Sequence, residues 1–305
     1  MSHAHHGRGH APAASADRGR LLTALGLILG LMAAEVVAGI AAGSLALLSD
    51  AAHMLTDAGA IALALVALRL AARPPGGGFT FGLRRAEILS AQVNGATLLA
   101  LGLVIVFEGV RRVVDPPEVE GAVVLVVAIV GIAVNLAATR VLAGADRSSL
   151  NVEGAFQHVL TDLFAFIATA VAGAVVLLTD FTRADGIAAL IVAALMLRAA
   201  WGLLRDSGRV LLEAAPRDVD PGEIGTALAS VAGVVEVHDL HVWEVSSGFT
   251  SLSAHVLVEG GRDCAERRLE LATLLRTRFG IEHTTLQVEH AGEERRPLEI
   301  EPLRR

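Results

Sequence analysis

Apolar and polar positions divide this chain into two unlike parts. From Leu21 to about Leu212, long runs of Ala, Leu, Val and Ile are broken only briefly; from Pro216 onward, charged and apolar residues interleave over short distances. A helix needs about 20 predominantly apolar residues to cross the hydrocarbon of a bilayer. Six stretches meet that requirement: Leu21–Ala42, Leu45–Leu68, Ile88–Phe107, Ala122–Leu142, Val152–Leu178 and Gly186–Leu204. The segments Ala72-Arg73-Pro74-Pro75-Gly76-Gly77-Gly78 and Asp115-Pro116-Pro117 between them cannot continue a helix. In the polar part, the pattern predicts a helix over Pro221–Ala232, strands over Val234–Val245 and Thr250–Glu259 around Ser246-Ser247-Gly248, a helix over Arg262–Phe279 and a short strand over Thr284–Glu289. The expected fold class is an all-α six-helix transmembrane bundle followed by a small α+β, ferredoxin-like cytoplasmic C-terminal domain. The expected division is a disordered His-containing tail over 1–20, the bundle over 21–212, the small domain over 213–291 and a second tail over 292–305.

Composition narrows the function. The chain has 305 residues, is 53% hydrophobic and carries a net charge of -7, which argues against a nucleic-acid partner. All 25 basic residues are arginine, a bias that matches GC-rich coding. A single cysteine, Cys264, leaves no intramolecular disulfide and no Cys-rich metal cluster. With both termini on the cytoplasmic side, the inner segments hold Arg8, Arg18, Arg20, Arg69, Arg73, Arg84, Arg85, Arg140, Arg147, Arg198, Arg205 and Arg209, while the outer loops hold only Arg111, Arg112 and Arg183. The positive-inside rule therefore predicts a multi-pass protein of the inner (cell) membrane with both termini cytoplasmic.

Two spans carry the same unusual motif. The second contains His53-Met54-Leu55-Thr56-Asp57 and the fifth His158-Val159-Leu160-Thr161-Asp162. Residues four apart share a helix face, so each span presents one imidazole and one carboxylate along one stripe. An ionisable residue at the bilayer centre costs about 2.5–3.5 kcal/mol on insertion scales, so four of them must face the bundle interior. One reading is polar packing through His–Asp hydrogen bonds. The other is a tetrahedral ligand set for a divalent cation, suited to Zn²⁺ and tolerant of Cd²⁺, Co²⁺, Mn²⁺ or Fe²⁺. A metalloenzyme would keep an open coordination position and a separate general base, neither of which is evident. A membrane metal sensor would need an output element, and no kinase, nuclease or DNA-reading element accompanies the spans.

The stretches Gly43-Ser44-Leu45-Ala46-Leu47-Leu48-Ser49-Asp50-Ala51-Ala52-His53-Met54-Leu55-Thr56-Asp57, Phe81-Gly82-Leu83-Arg84-Arg85-Ala86-Glu87-Ile88-Leu89, Val237-His238-Asp239-Leu240-His241-Val242-Trp243 and Leu286-Gln287-Val288-Glu289 resemble the cation diffusion facilitator family, in particular its bacterial zinc exporters. The resemblance implies a homodimer in the lipid bilayer that exchanges cytoplasmic Zn²⁺ for H⁺, with a transport site at His53, Asp57, His158 and Asp162 in each protomer. It also implies zinc as a cytoplasmic-domain ligand at His238, His255 and Glu289, with His241 and His283 as further candidates. Arg85 and Glu213 become candidates for a charge interlock where membrane and cytosolic parts meet, with a solvated surface pair as the alternative. The loop from Arg73 to Leu83 has no His, Asp or Glu, so no loop metal site is expected, and Leu83-Arg84 stands where the family often has Tyr-His. Gln287 stands where some members have His, which argues against a full two-ion cluster.

Glu35 and Asp50 are further acids in the spans and candidates for lining the path of metal or protons; a capped acid near an interface is the competing reading. Asn94 and Asn135 are read as hydrogen-bonding between helices. His3, His5, His6 and His10 in the N-terminal tail suggest loose metal gathering without a defined site.

Overall fold

The computed structural model describes residues 11–42, 45–116, 121–179 and 181–292; the side chains at 11–16, 35, 38, 39, 41, 42, 45–53, 56, 121–124 and 185 lie outside that description. The chain forms two compact units, Met1–Leu211 and Leu212–Arg305.

The first unit is helical: α1 (Ala11–Ala42), α2 (Leu45–Ala71), α3 (Ala86–Val114), α4 (Gly121–Ala143), α5 (Leu150–Thr179) and α6 (Arg183–Leu211). Among the described residues, four helices are long and apolar enough to cross a membrane, over Ala86–Val114, Leu125–Ala143, Leu150–Thr179 and Gly186–Leu211. At 32 and 27 residues, α1 and α2 have comparable length. Helices α3 and α6 each run seven residues past the expected spans, to Val114 and Leu211. Polar residues such as Arg111, Arg112, Arg205 and Arg209 end an apolar run without ending a helix, because they solvate at the interface.

The disordered tail expected over 1–20 is corrected from residue 11 onward, where α1 begins. Ala11, Ala13, Ala14 and Ala16 favour helix. Asp17, 6% exposed, also accepts hydrogen bonds from the Asp146 backbone N at 3.0 Å and from Arg20 Nη1 at 3.2 Å, fastening this extension to the α4–α5 connection. Residues 1–10, with His3, His5, His6 and His10, lie outside the described residues, as do 293–305 of the C-terminal tail.

Two packing groups make up the unit. Leu21, Ala24, Ile28 and Leu31 of α1 meet Met54, Ala58, Ile61 and Ala64 of α2, Ala138 and Leu142 of α4, and Val152, Ala155, Phe156 and Val159 of α5 in one apolar core. The intervals of three and four residues place each set on one helix face. Helices α3 and α6 pair antiparallel through glycines at intervals of seven. A Cβ built on Gly95, Gly102 or Gly109 would lie 3.0, 2.9 and 3.0 Å from Leu204, Leu197 and Leu190 respectively. Small residues let two backbones approach where lipid offers no hydrophobic drive for association.

The second unit runs α7 (Pro221–Ala229), β1 (Val234–Ser246), β2 (Phe249–Val258), α8 (Cys264–Phe279) and β3 (His283–His290). Asp220 caps α7 by accepting from Gly222 N at 2.8 Å, with Pro221 at the first helical position. This helix stops three residues short of the expected Ala232, at the Ser230 cap. Asp263 caps α8 from Ala265 N at 2.8 Å, and Gly280 ends it at φ 68°. The sheet order is β1-β2-β3, with β1 and β2 antiparallel and β2 and β3 parallel, the parallel pair joined by the α8 crossover. Leu252, Ala254, Val256 and Val258 alternate onto one face of β2 and bury Ile224 and Leu228 of α7 with Leu271 and Leu275 of α8.

Candidate metal sites

Helices α2 and α5 run antiparallel past one another at the repeated motif. Asp57 of α2 and His158 and Asp162 of α5 are 4%, 0% and 6% exposed. Each offers a ligand atom, and those atoms all lie within 4.8 Å of one another. His158 Nε2 is 2.7 Å from Asp57 Oδ1, while His158 Nδ1 is buried with no hydrogen-bond partner among the described residues. The i, i+4 spacing puts His158 and Asp162 on one stripe of α5, and the crossing with α2 brings Asp57 to it.

The register of that crossing is held two turns away. Asn151 Nδ2, on the same face of α5, donates to the Ala64 carbonyl of α2 at 2.9 Å. Asn151 precedes His158 by as many residues as Ala64 follows Asp57, so this bond and the Asp57–His158 contact are two rungs of one antiparallel seam. The seam was not anticipated from sequence; its only signal is an asparagine seven residues before a buried histidine. Nearer the start of α5, Arg147 holds Glu153 through Nε–Oε2 at 2.7 Å, its guanidinium lies 4.0 Å from the Phe156 ring centroid, and Gln157 Nε2 donates to Glu153 Oε1 at 2.5 Å.

Two carboxylates buried this close repel each other unless a proton or cation intervenes. A neutral imidazole completes three of the four donors that a tetrahedral divalent cation takes. The side chain of His53, one turn before Asp57 and the fourth expected donor, lies outside the described residues, as do those of the path candidates Glu35 and Asp50.

The second grouping is in the small domain. His238, Asp239 and His255 bring ligand atoms within 4.8 Å of one another, with the His238 and His255 rings 5.3 Å apart across the β1–β2 pair. In a regular strand, His238 and Asp239 would point to opposite faces. The register shifts between His238 and His241, and Asp239 adopts φ 48°, so a bulge turns both side chains to one side. Asp239 was therefore missed by alternation. The expected ligands Glu289, His241 and His283 are not in this group among the described residues. Glu289 pairs with Leu257, two positions along from the His255–Gln287 pair, and its carboxylate accepts from Gln287 Nε2. His241 is exposed opposite Ser253, and His283 lies at the other end of β3 with its ring 5.5 Å from Phe249. Of the interlock candidates, Arg85 is the N-cap residue of α3, and Glu213 follows α6 in the second unit with φ 59°. Asn135, expected to bond between helices, instead donates to Gly131 O of its own helix at 3.2 Å.

Comparison with known proteins agrees with this architecture. Residues 21–212 match the family described as the cation efflux transmembrane domain, and residues 216–291 match the cation efflux protein, cytoplasmic domain. The "Cadmium, cobalt and zinc/H(+)-K(+) antiporter" of Bacillus velezensis is 36% identical over 290 residues, covering 94% of this chain and 93% of that protein. "Zinc transporter ZitB" of Escherichia coli K12 is 38% identical over 293 residues, covering 95% and 93%. A solved structure, the metal-bound C-terminal domain of the CzcD transporter from Cuprividus metallidurans, is 36% identical over 23% of this chain and 99% of that one, with a TM-score of 0.23. A long-helix bundle with a His/Asp cluster between two of its helices, a small α+β domain following it in sequence, and both family matches lead to one conclusion: the chain belongs to the cation efflux, or cation diffusion facilitator, family of multi-pass membrane transporters.

Proposed function

We propose that this protein exports Zn²⁺, and with it Cd²⁺ and Co²⁺, from the cytoplasm in exchange for H⁺, through a site formed by Asp57, His158, Asp162 and His53. The observation that carries the reading is the meeting of two buried carboxylates and a buried imidazole, from two different helices, within 4.8 Å. The names of the relatives support it: one is an antiporter of cadmium, cobalt and zinc with H⁺ and K⁺, another a zinc transporter. Metal binds only to deprotonated ligands, so capture of the cation displaces protons. Facing the cytoplasm, the site loses protons and takes the metal; facing outward, it regains protons and expels it. A shift of α2 against α5 switches the two states, since each helix carries part of the ligand set. Residues 21–212 form the membrane domain, with both termini cytoplasmic, and residues 213–291 form a cytosolic domain. Glu35 and Asp50 line the route, two copies of the chain form a homodimer, and His238, Asp239 and His255 hold a regulatory or stabilising zinc.

The test is zinc uptake into proteoliposomes under an imposed pH gradient. Uptake is expected to follow the gradient in wild type and to vanish in Asp57→Ala and Asp162→Ala. Undiminished uptake in both variants would overturn the site, and uptake indifferent to the gradient would overturn the antiport.

A further inference from the structure

Helix α4 buries one stripe of residues, and a single member of it is polar. Ala128, Gly131, Asn135, Ala138 and Leu142 recur at steps of three and four and are all buried. On α5, Ala155, Val159, Asp162 and Phe166 form a stripe at steps of four, three and four. The two helices are joined by residues 144–149 and run antiparallel. A Cβ built on Gly131 would run into Phe166 Cδ1, so the ring lies against bare backbone there. Stepping away from that contact in opposite directions sets Asn135 against Asp162, Ala138 against Val159 and Leu142 against Ala155. The last two pairs lie in one buried cluster, as this register requires. A helical phenylalanine leans toward the N-terminus of its helix, so Asn135 is level with the His158–Asp162 turn.

Asn135 is 2% exposed, and its Nδ2 donates to the Gly131 carbonyl at 3.2 Å. That carbonyl lies inside α4, where the helical ladder already engages it. The bond therefore does not account for an amide in a seam otherwise made of Ala, Gly and Leu. An apolar side chain would fill the place without burying a polar group, and asparagine is a poor helix former. With its nitrogen engaged on its own helix, the amide has its oxygen to offer the facing one. An amide oxygen is a hard, neutral donor. Beside Asp57 and Asp162 it adds attraction for a cation without adding a third negative charge.

We propose that Asn135 is a specificity-determining residue of the metal site: its Oδ1, carried on α4 level with His158 and Asp162, is a further donor to the transported cation. The inference rests on the reading of Asp57, His158, Asp162 and His53 as the transport site. Zn²⁺ is complete with four donors, whereas Mn²⁺ takes up to six, rich in oxygen. Asn135 thus widens the range of cations the site accepts, and zinc depends on it least.

The test measures metal binding to the full-length chain in detergent, with His238→Ala and His255→Ala removing the second grouping and Co²⁺ as the spectroscopic probe. The d–d absorption of Co²⁺ strengthens as its shell falls to four donors. Asn135→Leu is expected to raise that absorption per bound ion about threefold, to weaken Mn²⁺ binding about tenfold and to change the zinc Kd less than about threefold. Asn135→Asp, like leucine, cannot donate to Gly131 O, yet it keeps an oxygen. It is expected to keep the wild-type Co²⁺ spectrum and to bind Mn²⁺ at least as tightly as wild type. An unchanged spectrum and Mn²⁺ affinity in Asn135→Leu overturns the proposal, as does Asn135→Asp behaving like Asn135→Leu. Where leucine disturbs the seam, Asn135→Ala gives the same reading. Failure of the transport-site reading looks different: the Co²⁺ spectrum would then survive Asp57→Ala and Asp162→Ala.

Discussion

At Asp57 and Asp162, the charges that attract a cation work against the fold that holds them. Buried carboxylates a few ångströms apart raise the energy of the metal-free state, so neutralising one of them relieves repulsion while removing a ligand. Asp162→Asn is therefore expected to melt no lower than wild type without metal, yet to lose the rise in Tm that zinc confers on wild type. Thermal unfolding in detergent with and without zinc checks this; a retained zinc-induced rise would count against Asp162 as a ligand. Asn151 acts differently, because its amide bridges α2 and α5 without being one of the metal-ligand candidates. Asn151→Ala should cost about 1–2 kcal/mol from the lost buried hydrogen bond and weaken zinc binding modestly. The doubled His-x-x-x-Asp is legible in the chain because i, i+4 spacing is a property of any helix. That His158 bonds Asp57 of another helix at 2.7 Å depends on how two helices cross.

At the scale of elements, the antiparallel pair α3 and α6 depends on glycines that seat leucines. A Cβ on Gly102 would come 2.9 Å from Leu197 Cδ2, so Gly102→Val overpacks the seam. The expected loss is about 1–3 kcal/mol in thermal unfolding, with Leu197→Ala in the same chain restoring part of it. If Gly102→Val melts like wild type, the helices have room that this packing denies them. The heptad Gly95, Gly102, Gly109 is visible in the sequence, but its partners are not. In the small domain, Gly280 sits at φ 68° as the stop of α8, and Gly280→Ala is expected to lower stability by about 1 kcal/mol, read by denaturant unfolding of the second unit alone.

For the whole molecule, the separation into two units makes a direct prediction. A fragment beginning at Leu212 has its own core, from Ile224 to Leu286, and is expected to unfold cooperatively by itself and to gain stability on adding zinc. Asp239→Ala in that fragment should weaken zinc binding about tenfold, and Glu289→Ala should leave it nearly unchanged. The opposite ranking would restore the His238, His255 and Glu289 set implied by family resemblance. Sequence alone determined the long apolar helices, the polar break near Pro216, the α-β-β-α-β order and the His/Asp stripe on each of two spans, because each follows from local periodicity, from capping, or from the cost of charge in hydrocarbon. Only the tertiary structure decided what depends on apposition. It placed Asp57 against His158, tied Asn151 to Ala64, drew Asp239 into the histidine pair through a strand bulge, and left Ser90 Oγ and Asn94 Nδ2 of α3 buried without a hydrogen-bond partner among the described residues. Such contacts are set by the angle and register at which elements meet, and no local pattern of residues encodes those.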